Sequence, residues 1–162
     1  LFRLLSRIVA SPVPRLVYRW LRAWQRLTRP VTVGVRVVVI DDGGRVLLVH
    51  HSYVAGWHLP GGRVRTGETT AAAAGRELHE ETGLRLVGPP RLLGLYGRFG
   101  HGGSDHVAVH VAAAWTGTLT ADGREVDGCG FFAFDALPDG TTPGTRARLA
   151  EHCGLAATSD RW

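Results

Sequence analysis

Three carboxylates, Glu77, Glu80 and Glu81, fall within five positions near the end of "TTAAAAGRELHEETGL". The alanine run before them predicts a helix over about 69–82, with Thr69 or Thr70 as N-cap and Gly83 as the stop. Positions i, i+3 and i+4 of a helix share a face, so the three side chains are expected to project together. Two carboxylates about 4–5 Å apart repel by roughly 3–4 kcal/mol at an effective dielectric near 20. The last turn of a helix disfavours negative charge as well. A solvated acidic face is the plain explanation of such a run. A hard divalent cation, Mg²⁺ or Mn²⁺, is the chemical one, since it takes oxygen ligands and neutralises the cluster.

The surroundings decide between them. From Gly62 the chain reads Gly, five residues, Glu68, seven residues, Arg76-Glu77-Leu78, His79, Glu80-Glu81, Thr82, Gly83, Leu84, preceded by "GWHLPGG". This resembles the box of the Nudix hydrolases, with each defining position filled at its spacing. A weaker resemblance extends over most of residues 31–138. It implies a loop–helix–loop box on an α/β/α sandwich with a mixed β-sheet. It also implies hydrolysis of a nucleoside diphosphate linked to another group, with Mg²⁺ or Mn²⁺ as cofactor. By that resemblance Glu77, Glu80 and Glu81 are metal ligands and the Gly61 carbonyl can add one more. Arg76 would hold a glutamate in place, and Glu68 would organise the box or the water. The base would be Glu80 or Glu77 rather than His101.

A further carboxylate is expected from "GREVDGCGFFAFDALP" (123–138), where Glu125 stands six residues before Phe131. Asp122 and Asp127 are rivals for the role. Arg63, Tyr53, Phe99 and His101 are candidate substrate-binding residues, the aromatics as stacking surfaces for a base. His106 and His110 share a strand face but lack the spacing and cysteines of a zinc site. A nucleoside triphosphate and an ADP-sugar both fit as substrate. A module that keeps the fold and only senses a nucleotide is the alternative, although such proteins commonly have a damaged box and this one is intact.

These residues need elements to carry them. "VTVGVRVVVI" (31–40) reads as a buried strand and "RVLLVHH" (45–51) as its hairpin partner across "DDGG". Residues 52–68 read as loop. Strands are expected at "LRLV", "RLLGLYGRF", "DHVAVHVAAAW" (105–115) and within 128–138, with a closing helix at 142–153. Ahead of Pro30 lies a separate unit. Residues 1–30 hold seven of the chain's 19 arginines and no acid, whereas the remaining 12 face 14 acids. The net charge of +5 thus belongs to one segment, and no stable nucleic-acid partner is expected. About residues 15–28 form an amphipathic helix. Packing on the domain or in a homodimer is the favoured reading, and peripheral membrane contact the sharper one. The two cysteines suit a reducing, cytoplasmic compartment.

Overall fold

The computed structural model describes residues 31–100 and 103–162. The readings of residues 1–30 and of His101 lie outside the described residues.

Strand β1 (Val31–Val38) is exposed at its start and buried toward its end, where its β-branched residues face both sides. Val35, Val37 and Val39 pack with Ala73, Ala74, Leu78 and Leu84 on one side. Val38 packs with Tyr96, Val107, Val109 and Leu149 on the other. Two cores therefore lie on opposite faces of one strand. The first is covered by helix α1 (Thr70–Thr82) and the second by helix α2 (Pro143–His152).

Further along the chain come β2 (Val46–His51), β3 (Val54–His58), β4 (Arg85–Leu86), β5 (Arg91–Gly100), β6 (Gly103–Val111), β7 (Trp115–Thr116) and β8 (Val126–Phe132). One sheet has the order β1-β6-β5 and the other β3-β2-β8, and β4 pairs with β7. The first is mixed: β1 runs parallel to β6, from Val31↔Ser104 to Val38↔Val111, and β5 runs antiparallel to β6. Leu47 of β2 enters the first core and Leu48 the second, which ties the sheets together.

Two expectations need correction. The hairpin between residues 31–40 and 45–51 shrinks to an Ile40↔Val46 bridge flanked by two bonds, from Leu47 N–H to the Val39 carbonyl and from Asp41 N–H to the Arg45 carbonyl. The edge of β1 that it would use is already occupied. Val35 N–H donates to Gly62 O at 2.8 Å, Val37 N–H to Pro60 O at 2.9 Å, and Val64 N–H to Val33 O at 3.1 Å. β2 pairs instead with β3 and β8. Residues 52–68 are also not all loop, since β3 forms within them. One edge of it pairs with β2, and the other is held from afar: Trp57 N–H donates to Gly140 O, and Thr142 N–H to Trp57 O.

α2 begins at the N-cap Thr142 with Pro143 behind it, as expected for a closing helix. Its buried face carries an Arg148–Glu151 ion pair at 2.8 Å. Tyr96 Oη donates to the same carboxylate at 2.9 Å. Among the described residues no helix is long and apolar enough to cross a membrane. Cys129 and Cys153 are free thiols.

Candidate active site

The box loop is laid on β1 by the three backbone bonds just described, and α1 follows it. Thr69 Oγ1 accepts from Ala72 N–H at 3.1 Å to start the helix. Gly83, at φ +72°, ends it with a bond from its N–H to His79 O. Ala73, Ala74 and Leu78 point into the core and fix how the helix is rotated. That rotation separates the three glutamates. Glu81 is buried at 8% side-chain exposure, Glu77 lies at 15%, and Glu80 stands at the rim at 48%. A common face was expected. All three still fit within one arc of about 100°, with Glu77 between Glu81 on the buried edge and Glu80 on the exposed one.

Arginines gather these carboxylates. Arg76 donates from Nε and Nη2 to both oxygens of Glu68 at 2.8 Å. Its Nη1 reaches Glu77 at 2.7 Å and Glu80 at 3.2 Å, and its Nη2 also holds the Arg63 carbonyl at 3.0 Å. Arg65 adds a second hold on Glu80 at 3.1 Å. The hydrogen bonds from Arg76 pull the Glu68 carboxyl down to about 2. Burial pushes Glu77 above the usual carboxylate range. Burial pushes Glu81 further, to about 8, against the hydrogen bond that its Oε2 accepts from Gly61 N–H at 2.8 Å.

Gly61 and Gly62 are required by contact. Gly61 sits at φ +143°, where a Cβ would lie 2.1 Å from the Val35 carbonyl oxygen. A Cβ on Gly62 would lie 2.7 Å from the Glu77 carboxylate. Arg36, projecting from β1, donates to the Leu59 and Gly61 carbonyls at 2.7 and 3.0 Å. As placed, no group of three or more His, Cys, Asp or Glu side chains among the described residues converges on one point as a finished metal cage. The donor set is chemically of the kind a hard cation takes, carboxylate and carbonyl oxygens, with one of the acids driven toward its neutral form by burial.

The remaining candidates separate by contact. Asp122 accepts from the N–H groups of Arg124, Glu125 and Val126, so it staples its own turn. Asp127 pairs with His50 Nδ1 at 2.6 Å. Burial raises the pKa of Tyr53 as it does that of Glu81, and the charge of Glu125 adds to both in the same direction. Tyr53 is exposed, and its ring lies 5.2 Å from that of His51. Phe99 is exposed on β5, edge-on to His106 at 6.0 Å, with the Arg161 guanidinium 5.6 Å from its ring centre. The Arg63 backbone bridges to Gly34, and its side chain is exposed. His110 is buried, with Nε2 3.1 Å from Thr70 Oγ1, and is part of the packing around α1.

Three residues at the site escape a motif-based reading: Arg36, Arg65 and His51. Arg36 carried a signal, being a lone cation inside "VTVGVRVVVI". His51 carried one only as a member of the cluster His50, His51 and His58 ahead of the box, and Arg65 carried none, because its role depends on how the box loop docks.

Comparison with known proteins bears on the family and the fold. The profile of the NUDIX domain matches residues 30–153. A protein of Bacillus subtilis (strain 168), provisionally named an 8-oxo-dGTP diphosphatase, is 32% identical over 118 residues, covering 73% of this chain and 77% of its own length. An RNA pyrophosphohydrolase of Francisella tularensis is 43% identical over 52 residues, or 32% of this chain and 34% of that one. The crystal structure of a MutT NUDIX hydrolase from Burkholderia pseudomallei superposes with a TM-score of 0.68 at 30% identity, covering 75% of this chain and 97% of that one. A MutT protein from Methanosarcina mazei Go1, at 20% identity and a TM-score of 0.63, shares the fold. With the box complete, the sandwich formed and the domain profile matched over most of its length, the chain belongs to the Nudix hydrolase family.

Proposed function

We propose that this site hydrolyses the pyrophosphate bond of a nucleoside diphosphate linked to another group, a nucleoside triphosphate or an ADP-sugar, with Mg²⁺ or Mn²⁺. Glu77, Glu80, Glu81 and the Gly61 carbonyl would hold the cation, with Glu125 reaching in from its loop. When bound, such an ion neutralises phosphoryl oxygens and lowers the pKa of a coordinated water. The chain's own residues supply the rest. Arg76 sets the carboxylates of Glu68, Glu77 and Glu80 relative to one another. Glu80, at the rim and open to water, is placed to take the proton of the attacking water, with Glu77 the second choice. Arg36 holds the Gly61 carbonyl in place. Tyr53 and Phe99 offer exposed aromatic faces for a base, and Arg63 offers a cation beside the box for phosphate.

One observation carries this reading. Glu68, Glu77 and Glu80 meet on the single guanidinium of Arg76, within the loop–helix unit that also seats Glu81 on Gly61. The test is a panel of nucleoside triphosphates and ADP-sugars with Mg²⁺ or Mn²⁺, comparing wild type with Glu80→Gln. Wild type is expected to release a nucleoside monophosphate together with diphosphate or a sugar phosphate, and to stop when the metal is chelated. Turnover that survives chelation would refute the metal-dependent reading. Tight binding of one nucleotide with no turnover of any would indicate a sensor instead.

A further inference from the structure

One face of the mixed sheet is only half covered. Leu92, Leu95 and Phe99 of β5 are 50%, 53% and 57% exposed. They pair with His110, Ala108 and Ser104 of β6, alternate positions of one strand, so all three stand on the same face. The Phe99 ring overlies Gly97, where a Cβ would meet it, and this closes the gap in the row toward Leu95. Val35 and Val37 of β1 share that face through the pairs Val35↔Ala108 and Val37↔His110. They pack with Ala73, Ala74 and Leu78 of α1, and no residue of β5 joins that core. The opposite face of β5 is closed, with Tyr96 in the core that holds Leu149 of α2.

Single exposed apolar residues are ordinary, but a row of three on one sheet face, beside a helix that stops short of it, fits a second covering element. The sequence holds one of the right kind. Read as a helix, residues 15–28 place Leu16, Val17, Trp20, Leu21, Trp24 and Leu27 within an arc of about 140°, opposite the arginine stripe from Arg15 to Arg29. Such a helix is about 21 Å long at 1.5 Å per residue. The run of β5 from Leu92 to Phe99 covers about 23 Å. The segment also enters the fold at the right place. It leads through Arg29 and Pro30 into Val31, which pairs with Ser104, itself paired with Phe99. β5 therefore lies two strand spacings, about 10 Å, from the point of entry. The three steps of chain from Thr28 to Val31 reach about as far.

We propose that residues 15–28 of this same chain form a helix seated along β5, with its apolar face on Leu92, Leu95 and Phe99 and its arginines turned to water. Folding back from Val31, it runs antiparallel to β1 and completes the layer that α1 begins. The short tether favours this occupant over a second copy, because it holds the segment at an effective concentration on the order of millimolar. Phe99 then serves this contact, which leaves Tyr53 as the aromatic open to a base. The inference is independent of the metal and of the hydrolytic reading.

The experiment uses the full chain with Cys129→Ser and Cys153→Ser, so that one introduced thiol reports. Leu95→Cys places it at the centre of the row. Leu155→Cys, at a site 80% exposed past the end of α2, gives the unprotected rate. Maleimide should label Leu95→Cys about tenfold or more slowly than Leu155→Cys, equally in dilute and concentrated solution. Adding Trp20→Asp and Trp24→Asp should bring the two rates within about threefold. Rapid labelling of Leu95→Cys in the otherwise native chain would overturn the proposal. Slow labelling that survives the two aspartates would overturn it as well, since something other than this segment would then cover the row. Protection that fades on dilution would assign the face to a second copy. Protection that appears only with vesicles of anionic phospholipid would assign it to a membrane surface. Either result refutes docking within the chain.

Discussion

Arg76 makes four hydrogen bonds to three carboxylates. Its planar fork lets one charge set three acids in fixed relation, which the ammonium of a lysine could not reproduce. Glu80 is the most exposed of those acids, and this separates its chemistry from its structural role. Glu80→Gln should lower kcat by roughly 10²–10⁴ while leaving the melting temperature close to wild type, because little packing is lost. Paired activity and thermal-melt measurements would check it. The two glycines should part company in the same assays. Gly62→Ala drives a methyl into the Glu77 carboxylate, a side chain that can swing away, so activity falls in a folded protein. Gly61→Ala drives a methyl into the backbone of β1 at a positive φ, so the fold itself is expected to weaken by more than about 2 kcal/mol.

At the scale of elements, α1 owes its start to Thr69. Thr69→Ala removes the cap on Ala72 N–H and should destabilise the protein by about 1 kcal/mol, measured by denaturant unfolding. The limits of this helix were legible in sequence because their causes are local: an alanine run, a threonine before it, and a glycine that adopts the left-handed conformation after it. The closing helix was legible for the same reason, with Thr142 and Pro143 at its head. Strand pairing was not. Nothing in "VTVGVRVVVI" states that its free edge will be taken by residues 60–64, and this pre-empts the expected hairpin. β3 was hidden because only one of its edges pairs locally, with β2, while the bonds on its other side, to Gly140 and Thr142, come from more than eighty positions away. At the site, the carboxylates could be read from their spacing. Their division into buried Glu81 and exposed Glu80 could not, since it depends on which face of α1 meets β1.

At the scale of the molecule, acid stability follows from the box. Glu68 titrates near 2 in the folded chain, below its ordinary 4.5. The stability it contributes is therefore complete above about pH 4.5 and is lost as the pH falls toward 2. Glu68→Gln should flatten that part of the stability–pH curve, as read by denaturation at a series of pH values. The far side of the sandwich has its own anchor in Arg148 and Glu151, both nearly inaccessible to water, with the Arg148 guanidinium 3.9 Å over the Tyr96 ring. Removing one partner strands the other charge, so Arg148→Met should cost about 3–5 kcal/mol in unfolding free energy. Activity per folded molecule should be unchanged.

The same region holds the last residues against β5. Gly97 N–H donates to Asp160 O at 2.7 Å, and Trp162 N–H donates to Gly97 O at 3.0 Å. A bare sheet margin invites a stranger's strand to zip onto it. Here residues 160–162 hem that margin at Gly97, with the indole of Trp162 tucked over Gly144 as the stitch. Unpicking that hem would expose a sticky selvedge, and clumping in concentrated solution would follow well before the catalytic face noticed the loss.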